Sequence, residues 1–147
     1  MEAGNKIWYK FPNLAPYDVK ENVIMVTNSN SAKYIQEIKQ SIYSFAAEIE
    51  WKNMWTLEEA GIRFSKNETL FLLRDEKGAL GHIWFDQEYC YNLYVHPRRK
   101  KGTAERFTYH CFNFIPHKEI FAYADGWNKK AIKHFEKVGG IEISSYL

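Results

Sequence analysis

The chain has few cysteines, few prolines, no dominant charge and no long apolar run, and each shortage excludes something. Two cysteines, Cys90 and Cys111, stand singly in apolar surroundings, which excludes a disulfide scaffold and the paired spacing of a structural zinc site. The five histidines show no ligand spacing either, so no metal is expected. Lys and Arg number 20 against 18 Asp and Glu, a formal net charge of +2. No global field draws the protein to nucleic acid or to an anionic membrane, and neither is an expected partner. No apolar stretch approaches the roughly 20 residues of a membrane span, and the N-terminus lacks a charged segment followed by an apolar one. With reduced cysteines, this points to the cytoplasm. The four prolines include Pro12 and Pro16, which break up an atypical segment over residues 1–22, where Ile7 to Phe11 still reads as extended.

What is abundant is aromatic: Phe, Tyr and Trp make up 17% of the 147 residues, enough for a dense core or an aromatic groove. The length suits one domain, residues 1–147. Val23 to Val26 is a short apolar run that ends in the polar cluster Asn28 to Ser31. Ile35, Ile38, Ile42 and Phe45 then recur at helical spacing. Thr56 and Glu59 have capping-box spacing and begin a second helix that Gly61 stops. Three extended runs follow, Thr69 to Arg74, Ala79 to Phe85 and Tyr89 to Val95, separated by turn-forming residues. Helical periodicity returns from Ala104 to Phe114. Ile120 to Ala124 reads as a buried strand, Asn128 as the cap of a last helix ending at Gly139-Gly140, and Ile141 to Ile143 as a last strand. The class is α/β of the α+β kind: a mixed, mostly antiparallel sheet flanked by about four helices.

The segment from Leu93 to Ala104 carries the chemistry. A strand end, Leu93-Tyr94-Val95, passes through His96-Pro97 into the basic turn Arg98-Arg99-Lys100-Lys101-Gly102, and a helix begins at Thr103-Ala104. Unpaired amides and partial positive charge at a helix N-terminus, a glycine that admits close approach and adjacent cations suit a pyrophosphate. The alternative is a solvated charge run.

Arg99-Lys100-Lys101-Gly102-Thr103-Ala104 resembles the (Gln/Arg)-x-x-Gly-x-(Gly/Ala) signature of the GNAT superfamily of N-acetyltransferases. The stretch from Asn128 to Gly139, NKKAIKHFEKVG, resembles that family's second motif. The resemblance extends from about Leu70 to Ile143. It implies a cytoplasmic N-acetyltransferase that moves an acetyl group from acetyl-CoA to a primary amine of a small molecule, protein or peptide. A GNAT-like module that binds acyl-CoA or a partner without transfer is the alternative. By resemblance, the amides of Arg99, Lys100, Lys101, Gly102, Thr103 and Ala104 hold the pyrophosphate, and Leu93, Tyr94 and Val95 pair with the pantetheine arm. Asn128 touches that arm, Lys130 adds a phosphate contact, and a backbone N–H near Val95 serves the oxyanion. Glu88, fourteen residues before Gly102, matches the position of the family's catalytic base.

Two features depart from the family pattern. Phe135 occupies the place of a tyrosine that protonates the leaving thiolate, so Phe135 packs against the ligand and His134 becomes a substitute acid. The C-terminal end is short, with one strand after the last helix where the family has two. The sheet edge this leaves is expected to be covered by the segment around Ile7 to Phe11 or by a second copy in a homodimer.

Overall fold

In the computed structural model, residues 5–12, 22–49, 64–115 and 119–144 are described. The elements run β1 (Lys6–Pro12), β2 (Asn22–Val26), a short 3-10 turn (Ser31–Tyr34), α1 (Ile35–Ile49), β3 (Thr69–Asp75), β4 (Gly78–Asp86), β5 (Tyr89–Val95), α2 (Thr103–Phe114), β6 (Glu119–Asp125), α3 (Lys129–Lys137) and β7 (Ile141–Ile143). The helix expected at Thr56 to Gly61 lies outside the described residues. No described helix is long and apolar enough to cross a membrane.

Local chemistry explains the boundaries. Asn30 accepts the Thr27 amide at 2.8 Å and donates to the Met25 carbonyl at 3.1 Å. It thereby closes the turn between β2 and the first helix. Ile38 and Ile42 form the buried stripe of α1, and that helix packs across β4. Helix α3 starts where the Asn128 side chain accepts the Ala131 amide at 3.2 Å and ends at Gly139, whose φ of 89° suits the left-handed stop.

The strands form a seven-stranded sheet in the order β2-β3-β4-β5-β6-β1-β7. All neighbours are antiparallel except β5 and β6, which run parallel. One core layer lies under α1, around Ile38, Ile42, Leu72 and Trp84. The other, larger layer lies on the opposite face and joins α2 to the sheet around Phe71, Phe85, Phe107 and Cys111.

The N-terminal segment fills the expected gap. Strand β1 inserts between β6 and β7, pairing from Lys6↔Asp125 to Pro12↔Glu119 on one side and from Trp8↔Ile143 to Lys10↔Ile141 on the other. It is interior rather than peripheral: Tyr9 and Phe11 are buried, and their rings meet Phe135 at 5.6 and 5.5 Å. Of the two expected covers for that edge, the chain's own first strand occupies the place. The edge passes to β7, whose three residues offer little to a foreign strand.

Candidate functional site

The parallel pair β5 and β6 is joined only at its start. Tyr89 pairs with Phe121 and Cys90 with Ala122, and the Phe121 amide donates to the Glu88 carbonyl at 2.9 Å. Beyond Cys90 the strands part. The cause lies in the ladder on the other side, where Trp84 faces Asn92 but Phe85 faces Cys90. Tyr91 is therefore an extra residue, a bulge placed where β5 leaves β6. The His96 amide donates to the Leu80 carbonyl at 2.7 Å. The alternation of an antiparallel ladder then turns the N–H and C=O groups of Leu93 and Val95 away from β4, toward the gap. On the far side the amide of Phe121 faces β5, so period two aims that of Tyr123 into the gap as well. The result is a cleft of about 630 Å³ walled by strand edges that no neighbouring strand completes. Tyr94 differs from its neighbours: its backbone faces β4, and its ring stacks on Phe45 of α1 at 5.1 Å.

Close approach of β4 and β5 needs Gly81, where a Cβ would collide with the Tyr94 carbonyl oxygen. At the mouth of the cleft the chain turns into α2. Gly102 takes a φ of 84° and caps the helix, a conformation costly to other residues. Arg98 is committed elsewhere: its guanidinium binds Asp75 at 3.0 and 3.2 Å and the Ala79 carbonyl at 2.8 Å. That bond holds the Asp75 carboxyl below its ordinary range. Arg99 bonds the Val95 carbonyl at 3.2 Å and lines the cleft with Ala104. Lys100 and Lys101 are exposed beside it. The Thr103 amide already donates to the Lys100 carbonyl at 3.1 Å and Thr103 is buried, which leaves its neighbours' amides as the donors for an anion.

Helix α3 supplies the opposite wall through Asn128, Lys130, Lys133, His134 and Phe135. Lys130 forms an ion pair with Glu48 of α1 at 2.8 Å, bridging the two helices that flank the cleft. The Thr108 hydroxyl donates to the Ala104 carbonyl and also meets His134 Nε2 at 2.8 Å. The imidazole must then donate through Nε2–H, with Nδ1 bare. Burial drives its pKa down to about 4. His134 is thus neutral near pH 7.

Glu88 takes a different position. It sits in the turn before β5, at the closed end of the V, and its backbone carbonyl is spent on Phe121. It is not among the residues that line the cleft, and four residues of strand, roughly 13 Å, separate it from Asn92. The position fourteen residues before Gly102 thus falls in the turn before β5.

Three acidic groups that sequence reasoning passed over do line it, Glu48, Glu105 and Asp125. Glu48 was accessible to pattern reading, since it continues the stripe of Ile38, Ile42 and Phe45 with a carboxylate. Its Oε2 is buried and has no hydrogen-bond partner. Burial, reinforced by the Glu48 carboxylate, raises the Tyr94 hydroxyl pKa and keeps it protonated. Asp86 is exposed at the end of β4, close to Glu88. Among the described residues no group of three His, Cys, Asp or Glu side chains could hold a metal ion.

No family model matches the sequence, and no curated protein is similar to it. Solved structures are similar in fold. An aminoglycoside acetyltransferase from an uncultured soil metagenomic sample, in complex with sisomicin, superposes with a TM-score of 0.62 at 18% identity, covering 86% of this chain and 92% of that one. A GNAT-family acetyltransferase from Bacillus cereus gives 0.61 at 14% identity, covering 81% of each chain. A GCN5-related N-acetyltransferase from Sphaerobacter thermophilus gives 0.56 at 12% identity, over 97% of this chain and 50% of that one. The chain shares its fold with these solved acetyltransferases.

Proposed function

We propose that the chain is an acetyl-CoA-dependent N-acetyltransferase acting on a primary amine. The observation that carries the reading is the split between β5 and β6. It leaves the Leu93 and Val95 backbone edge without a neighbouring strand and leads it straight to the left-handed Gly102 turn. An extended ligand with amide groups along its arm and a pyrophosphate at one end matches both parts: the amides complete the sheet as an added strand, and the anion meets the helix N-terminus. Arg99 and the amides around Gly102 hold the pyrophosphate, with Lys100, Lys101 and Lys133 adding charge. Asn128 keeps its oxygen for the helix cap and offers its NH2 to the arm. Phe135 closes the inner wall.

Direct attack requires an amine that has lost its proton, a donor for the oxyanion and departure of a thiolate. Glu48 is the carboxylate in position to take the proton, since its buried Oε2 lacks a partner and gains one when an amine enters. With Glu105 and Asp125, it offers carboxylates with which a cationic acceptor such as an aminated small molecule or a lysine side chain can pair. Calorimetry with acetyl-CoA, followed by thiol release over an amine panel, tests the reading. Binding with turnover supports it. Binding without turnover on any amine would favour the acyl-CoA-binding module, and no binding would remove the proposal.

A further inference from the structure

A buried polar chain crosses the sheet from α1 into the cleft. Ser41 on α1 and His82 on β4 are 2% and 0% exposed. Ser41 Oγ lies 2.6 Å from His82 Nδ1, and His82 Nε2 lies 2.6 Å from Asn92 Oδ1. The carboxamide oxygen can only accept, so Nε2 carries the hydrogen. The ring is neutral, with burial lowering its pKa to about 4. Nδ1 then accepts, and Ser41 supplies the O–H. Every proton in the chain points the same way, toward Asn92. The carboxamide is locked with its oxygen turned inward, and its Nδ2 bonds no described residue.

Position gives this orientation its use. Asn92 lines the cleft and is the first residue of β5 past the bulge, next to the vertex where the two strands join. A coenzyme anchored at Gly102 and running along Val95 and Leu93 points its acyl end at that vertex, about 10 Å of strand beyond Val95. A backbone amide was the expected oxyanion donor from sequence; the fold adds a side chain. We propose that Asn92 Nδ2 donates to the thioester carbonyl oxygen, with Ser41 and His82 as the positioning residues that hold it there. The inference rests on the acetyl-CoA reading of the cleft. As the amine adds to the carbonyl carbon, the C=O electron pair moves onto this oxygen, and an N–H already aimed at it stabilises the growing charge without reorganisation. When the C–S bond breaks, the pair returns and the thiolate departs.

The test compares acetyl-CoA with S-ethyl-CoA, a thioether that keeps the coenzyme and lacks the carbonyl, by calorimetry on the full chain. Wild type should bind acetyl-CoA roughly 5- to 10-fold tighter, the value of one neutral hydrogen bond. Asn92→Ala should reduce that ratio to below about 2-fold and leave S-ethyl-CoA affinity nearly unchanged. Ser41→Ala, which frees His82 to rotate, should reduce the ratio partway, an effect that a merely structural serine would not produce. If Asn92→Ala does not fold, Asn92→Asp keeps the shape and the His82 bond while removing the donor, and it should also abolish the preference. Equal binding of the two ligands by wild type, or a preference that survives both substitutions at Asn92, overturns the inference and leaves the coenzyme site standing. Failure of wild type to bind either ligand overturns the coenzyme reading itself.

Discussion

Replacing Gly102 with valine perturbs the coenzyme turn at its narrowest constraint. The residue sits at φ 84°, and a Cβ built there stands 2.9 Å from Arg106 Nη1. The arginine is long and can swing aside, so the dominant cost is the backbone. The left-handed region costs an ordinary residue about 1–2 kcal/mol, with a β-branched one at the upper end. The turn relieves this by rotating to negative φ, which swings the amides on either side of residue 102 away from a common focus. Each charge-assisted hydrogen bond to a phosphate contributes about 1.5–3 kcal/mol, so losing two removes about 3–6 kcal/mol and weakens acetyl-CoA binding roughly 10²- to 10⁴-fold. Calorimetric titration measures this directly. Thermal unfolding should show only the backbone cost, because no side chain leaves the core. An affinity within threefold of wild type, on a protein of unchanged fold, would refute the assignment of the pyrophosphate to this turn.

Three further outcomes follow from the geometry. Phe11→Ala removes a ring that is 2% exposed and packed edge-on against Phe112 and Phe135 at 5.2 and 5.5 Å; it should cost about 3–5 kcal/mol in denaturant unfolding, and a loss under about 1 would mean that β1 is not an interior strand. His82 and His134 have pKa values lowered to about 4, so between pH 6.5 and about 4 the unfolded chain binds protons that the folded one refuses. Stability should therefore fall on acidification through that window, by up to about 1.4 kcal/mol per pH unit for each histidine. Denaturation midpoints at pH 7 and pH 5 that coincide would contradict it. Glu48→Gln should lower kcat roughly 10²- to 10⁴-fold, and Glu88→Gln should leave kcat within about threefold; the reverse pattern would return the base to the turn before β5.

The local elements were legible because hydrophobic period and turn chemistry act over a few residues. The runs Tyr89 to Val95 and Ile141 to Ile143 have the expected bounds, and β2, β3, β4, β6 and α2 extend by a residue or two beyond their apolar centres. The glycine turn was legible for the same reason. What local patterns do not carry is lateral order. Ile7 to Phe11 reads as extended, but only pairing over more than a hundred residues puts it between β6 and β7, and nothing near Lys6 encodes that. For Glu88 likewise, counting along the chain puts it beside β5 and does not say which end of the V it occupies. The Tyr91 bulge escaped notice because a residue without a cross-strand partner looks like any other in a row of aromatics. Glu48, Asn92 and His82 converge from three separate elements, and none is a motif alone.

The inserted strand also bears on the missing acid. Phe135 stands where a tyrosine would offer its hydroxyl, and in this fold the ring is held by Tyr9 and Phe11 of β1 and is only 5% exposed. The same strand that completes the sheet thus draws residue 135 into an aromatic cluster, where a hydroxyl would need a partner that carbon rings do not supply. The neighbouring His134 is neutral and already spends its N–H on Thr108. Neither Phe135 nor His134 therefore delivers a proton to sulfur. The chemistry tolerates that, because a thiol of ordinary pKa about 8.5 leaves as a thiolate with little penalty near neutrality. On the proposed reading the more demanding event is charge growth on the carbonyl oxygen, and beside that position lie a bulge that opens the strand, a backbone edge, and a carboxamide held by His82, which Ser41 holds in turn. A site that invests in the oxyanion and leaves the thiolate to solvent should respond far more to Asn92 than to any group on α3.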